Sequence, residues 1–172
     1  MFELQRLQGT PTPGIVLQTR LGTNIQNSLG LTISETHVRR FELLVRKYGD
    51  RWKQRRPPSG AYNCAGHIWA SRRTCIYEPA DWQRILADDG YRLTMSPMAD
   101  DIVIYSDQDQ EILHIARVLE LRPGIAEESP VIPWIVSKWN DWSGESFHFV
   151  YDHPLGQQGF DVSIAYWTDR PE

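Results

Sequence analysis

Two residues of this sequence are of the types that acyl transfer needs: Cys64, a soft nucleophile once deprotonated, and His114, whose side chain ordinarily titrates near neutrality. A nucleophilic cysteine needs a lowered thiol pKa, a base within reach and donors aimed at the developing oxyanion. The start of a helix supplies the first and part of the third, because its unpaired N–H groups stabilise negative charge on sulfur and on a tetrahedral intermediate. Cys64 follows the loop Pro57 to Asn63, and Gly66 permits close approach of a second backbone or of a substrate. Taken alone, a cysteine reads as a small buried hydrophobe, and Cys75 keeps that reading. His114 stands in the middle of an apolar strand pattern, where a polar ring costs energy unless it has a partner. In the expected mechanism His114 takes the Cys64 proton, sulfur attacks a carbonyl, and water or an amine resolves the thioester.

The elements that must position this pair are legible in outline. Ser34 predicts an N-cap, followed by a buried stripe at Val38, Phe41, Leu44, Val45 and Tyr48, with a stop at Gly49. Asp50 to Gly60, with Pro57 and Pro58, reads as a linking loop. A second helix is expected from Cys64 through Trp69 to Ser71, and a third after Pro79, running through Trp82, Ile85 and Leu86 to Gly90. The period then changes. Ile102 to Tyr105 and Ile112 to Val118 read as strands joined by turn chemistry at Asp107 to Gln110, and further strands are expected at 131–138, 146–151 and 162–167. Helices followed by an antiparallel meander predict an α+β fold, with the helices packed on a sheet of about five strands. Residues 1–31, rich in Thr, Gly, Gln and Pro, read as an N-terminal arm, and 32–172 as one domain.

A resemblance adds to this. Tyr62-Asn63-Cys64-Ala65-Gly66-His67-Ile68-Trp69 resembles the nucleophile motif of the NlpC-type peptidase family, Asp-Cys-Ser-Gly followed by apolar residues. Pro97 to Tyr105 is similar to the family's Pro-x-x-Gly-Asp and apolar strand, and Leu113-His114-Ile115-Ala116-Arg117-Val118 resembles its strand bearing the catalytic histidine. The likeness spans roughly residues 60–140, with Asn63 where the family has an acid and Asp100 where it has a glycine. It implies a papain-like fold and a cysteine peptidase or amidase acting on peptide or amide bonds, commonly those of peptidoglycan peptides. The family's third polar group, which orients the imidazole, has three candidates here: Ser137, Asn140 and His148, of which we take His148. Tyr62 and Trp139 are expected as groove walls, with simple packing as the alternative for both. His67, three residues after Cys64 on the same helical face, is either a second base or an exposed helix residue.

Bulk properties narrow the classes. A chain of 172 residues that is 41% hydrophobic has enough apolar material for one core. A net charge of -4 argues against a nucleic-acid surface, and the basic run from Arg46 to Arg56 reads as a solvated helix end. Two cysteines make no disulfide framework and fit a reducing compartment. Without an apolar run of signal or span length, the chain is expected in the cytoplasm, or exported by a route that it does not encode, with no membrane contact. No cofactor or metal is expected, because Cys64, His67, Cys75 and His114 lack a clean second ligand pair and no phosphate loop is present. The expected partner is a peptide or amide substrate. The competing class is a non-catalytic binding, immunity or adaptor module on the same scaffold, with a protein partner.

Overall fold

Ser34 opens the first long helix, α1 (Glu35–Tyr48), as its position predicts. Phe41, Leu44 and Tyr48 form the buried stripe, and Arg46 and Lys47 in the last turn complement the helix dipole. Gly49, at φ 54°, ends the helix in a conformation that an L side chain resists. The computed structural model describes residues 12–123, 130–155 and 161–171. Two short strands, β1 (Thr12–Pro13) and β2 (Ser28–Leu29), pair with each other. After α1 come β3 (Trp52–Arg56), α2 (Cys64–Trp69), α3 (Pro79–Asp88), β4 (Arg92–Thr94), β5 (Ile102–Ser106), β6 (Ile112–Pro123), β7 (Val131–Ser137), β8 (Glu145–Phe149) and β9 (Ser163–Thr168).

The strands β3 to β9 form one antiparallel sheet in the order β3-β8-β7-β6-β5-β9-β4. The α+β class holds, but the sheet has seven strands rather than five, and a papain-like arrangement is not established by these elements. The two extra strands are its edges. In β3 only Trp52 is buried, while Lys53, Gln54, Arg55 and Arg56 are exposed. Charged side chains of this kind protect a sheet edge from pairing with another chain, and they erase the apolar alternation that betrays a strand.

Alternation along the central strands sorts the core into two layers. Ile102, Ile104 and Ile115 pack under α2 and α3 with Cys64, Ile68, Trp82 and Ile85. Val103, Tyr105, Ala116, Val118, Ile135 and Trp139 face the opposite way, against Leu44 and Tyr48 of α1 and Leu155. The described part of the expected arm is docked rather than loose: Leu17 and Ile25 join the first layer, and Thr19 and Thr23 each donate a hydroxyl hydrogen bond to Asp88, at 2.8 and 2.6 Å. Residues 1–11 of that arm lie outside the described residues. Among the described residues no helix is long and apolar enough to cross a membrane.

Candidate functional site

Asn63 sets the start of α2. Its Oδ1 accepts from the Gly66 N–H at 2.9 Å and from the Ile76 N–H at 3.2 Å, while its Nδ2 donates to the Ile76 carbonyl at 2.7 Å. An amide both accepts and donates here, which an ionised carboxylate cannot do. Gly66 is required by packing, because a Cβ there would stand 1.8 Å from the Thr74 carbonyl oxygen. Cys64 is therefore the first residue of the helix, as expected. Its environment is apolar. The side chain is buried with Ile104 and Ile115, and burial pushes the thiol up to about 11, against weaker opposition from hydrogen bonding by the backbone at Ile115 and Ala65 and from the Lys138 charge.

His114 faces the other layer. It pairs across the sheet with Tyr105, directly beside the Ile104–Ile115 pair that lies under Cys64. Its ring stacks on Trp139 at 3.9 Å and lies 5.6 Å from the Tyr105 ring. Successive strand residues point to opposite faces, so the sheet stands between the Cys64 sulfur and the His114 imidazole. The nucleophile–base pair expected from the sequence is not formed. Both ring nitrogens of His114 lack a hydrogen-bond partner among the described residues, and burial holds the ring neutral, well below the usual histidine pKa.

The candidates for a third group have other work. His148 shares the layer of His114, but Trp139 touches both rings. Nδ1 of His148 lies 2.8 Å from the Phe149 carbonyl, so that nitrogen carries the proton. Its Nε2 then accepts from the Trp139 indole N–H at 3.2 Å and from the Ser137 hydroxyl at 2.6 Å. Burial depresses this histidine to about 3. Asn140 shapes a turn, its Oδ1 accepting from the N–H groups of Trp142 and Ser143. Trp139 is 1% exposed and belongs to the core, so it walls no groove. Cys75 is buried, as its plain reading predicted.

Tyr62, expected as a groove wall, is buried and leads instead to a cluster of charged side chains. Its hydroxyl donates to Glu145 Oε1 at 2.6 Å, and Arg72 Nε donates to the same oxygen at 2.5 Å. Arg55 and Arg56 approach the other carboxylate oxygen at 3.3 and 3.8 Å. Glu145 is completely buried. Burial favours its neutral form, but the hydrogen bonds from Arg72 and Tyr62, together with the charge of the neighbouring groups, outweigh it and hold the carboxyl below the ordinary value. His67, expected either as a second base or as an exposed residue, is neither: it is buried 3.8 Å from Glu145, and burial lowers it to about 3. Beside this cluster opens a cleft of about 300 Å³, lined by Arg55, His67, Ser71, Arg72, Asp100 and Arg117. Residues 55, 72, 117 and 145 are scattered along the chain, and no spacing rule connects them. Lys138 is also internal, donating to the Ser59 and Ser143 carbonyls at 2.7 and 2.5 Å. Among the described residues no three His, Cys, Asp or Glu side chains assemble as a metal-binding group.

Comparisons with protein-family models, with curated proteins and with solved structures return no match.

Proposed function

We propose that this chain is a binding module on an α+β scaffold rather than a thiol hydrolase. The observation that carries the reading is the separation of Cys64 and His114 by the sheet. A thiol raised to about 11 is almost entirely protonated at neutral pH, and a base on the far side of a hydrogen-bonded sheet cannot take its proton. His148 supports the same reading, because its three hydrogen bonds are all used in holding the second layer together.

The alternative, a cysteine peptidase or amidase, is favoured by the place of Cys64 at the first residue of α2 and by the backbone at Ala65 and Ile115 close to its sulfur. Iodoacetamide at neutral pH separates the two. A binding module shows Cys64 and Cys75 alkylated slowly and at similar rates in the folded protein, with both exposed by urea. Alkylation of Cys64 far faster than Cys75, abolished by His114→Ala in a variant that keeps its fold, establishes the hydrolase instead.

A further inference from the structure

The geometry points to the cleft between β3, β6 and the end of α2 as a binding site for the phosphoryl group of a phosphomonoester. This deepens the binding-module reading and rests on it. Three guanidiniums, those of Arg55, Arg72 and Arg117, line the cleft with one carboxylate, Asp100, and the adjoining cluster adds Arg56 and the buried Glu145. The region therefore carries a surplus of two positive charges in a chain whose net charge is -4. Asp100 contributes little to neutralising it, because its side chain is 85% exposed and reaches Arg117 at only 3.4 Å. The side chains of Arg55, Arg72 and Arg117 are about one-third exposed, so part of their hydration is already lost. Charge held in that condition gains from a bound anion more than the same charge on an open surface.

A second observation concerns His67, whose ring lies beside these arginines. Arg72 Nη2 lies 3.0 Å from Nε2 of His67. Arginine only donates, so Nε2 is the acceptor and the proton of the neutral ring resides on Nδ1. That Nδ1–H is buried and has no acceptor among the described residues, although His67 lines the cleft. An orphaned buried donor costs free energy, so the ring beside the cleft is left with an unmet bond.

The backbone is consistent with a built site. Of the four non-glycine residues with positive φ among the described residues, three line this cleft: Ser71 at 50°, Arg72 at 66° and Asp100 at 73°. Such conformations persist only where the surroundings impose them, and they cluster at binding sites. Here the Arg72 N–H is tied to the Gly66 carbonyl at 2.9 Å, which turns the arginine back toward Glu145. A phosphoryl group fits better than a carboxylate. Its charge of about -2 matches the surplus, and three terminal oxygens suit the three guanidinium forks that line the cleft, whereas a carboxylate offers one charge and two oxygens.

The test titrates the full chain at low ionic strength with O-phosphoserine, inorganic phosphate and succinate, followed by calorimetry and by the His67 Nδ1 proton in NMR. Saturable binding of the phosphate probes, with succinate weaker and the His67 resonance shifted, is expected. Arg55→Gln and Arg117→Gln should each weaken it about tenfold or more, the usual effect of one charged hydrogen bond. Arg72→Gln also strips the partner from buried Glu145 and can unfold the chain, so Arg55 and Arg117 decide the matter. Absence of saturable phosphate binding, wild-type affinity in both variants or tighter binding of succinate overturns the proposal. Alkylation of Cys64 is read on the same samples. An inert thiol without phosphate binding removes the cleft but leaves the binding module, whereas a fast thiol with phosphate binding intact removes that reading and keeps the cleft.

Discussion

The two faces of the sheet solve the burial of polar groups in opposite ways. Under α1, three histidines around a tryptophan are kept neutral: His148 is fully hydrogen-bonded, His114 is stacked, and His153 lies against Tyr105 and Trp139. At the mouth of the other face, charge is kept and surrounded, with Glu145 buried among arginines. A neutral layer depends on shape and on withholding protons, and a charged cluster depends on every counter-ion being present. The first arrangement suits a core, and the second suits an exchangeable ligand.

The largest expected effect tests the neutral layer. Trp139→Ala removes the ring that touches both His114 and His148 and should cost about 4 kcal/mol, read as a lowered urea midpoint with an unchanged slope. Glu145→Gln, in the charged cluster, should cost about 3 kcal/mol because it leaves the arginines unmatched, and added phosphate should restore part of the loss. A loss below 1 kcal/mol would dissolve the contrast between the faces.

The third prediction concerns pH. Burial holds His148 at about 3 in the folded state, against 6.5 for the ordinary ring, so below pH 6.5 the unfolded chain takes up a proton that the folded chain refuses. Stability is complete above that value and falls by about 1.4 kcal/mol per pH unit for this histidine as the pH drops toward 3, with His114 adding in the same direction. Urea melts between pH 7.5 and 4.5 measure the slope, and His148→Gln should reduce it by about 1.4 kcal/mol per pH unit while leaving the part due to His114 and His67. The smallest effect belongs to Asp100→Gly. Relief of a positive φ outweighs a surface ion pair with Arg117, giving a gain of about 0.5 kcal/mol, and loss of the carboxylate should also tighten phosphate binding.

Much of this architecture is written locally. Ser34 and Gly49 bracket α1, Pro79 starts α3, and apolar runs mark β5 to β9, because caps, ring constraints and periodicity act within a few residues. The edge strand β3 is invisible for a local reason too, since its exposed Lys, Gln and Arg side chains show no alternation. The phase of His114 is a different matter. Period two says that His114 and Ile115 face apart, but which of them looks at α2 is decided by how the sheet is covered. The arginine cleft is hardest to foresee, because it joins β3, the end of α2, β6 and β8, and each contributes a residue that reads alone as surface charge.

The contact between Gly66 and the Thr74 carbonyl bears on how variants near Cys64 are interpreted. A saturation library at position 66 should return glycine alone, whatever activity is selected, since any side chain would prise α2 from the turn that carries Arg72. Intolerance next to a cysteine is then a readout of folding, and a Cys-x-Gly pattern persists through packing even where no sulfur chemistry takes place.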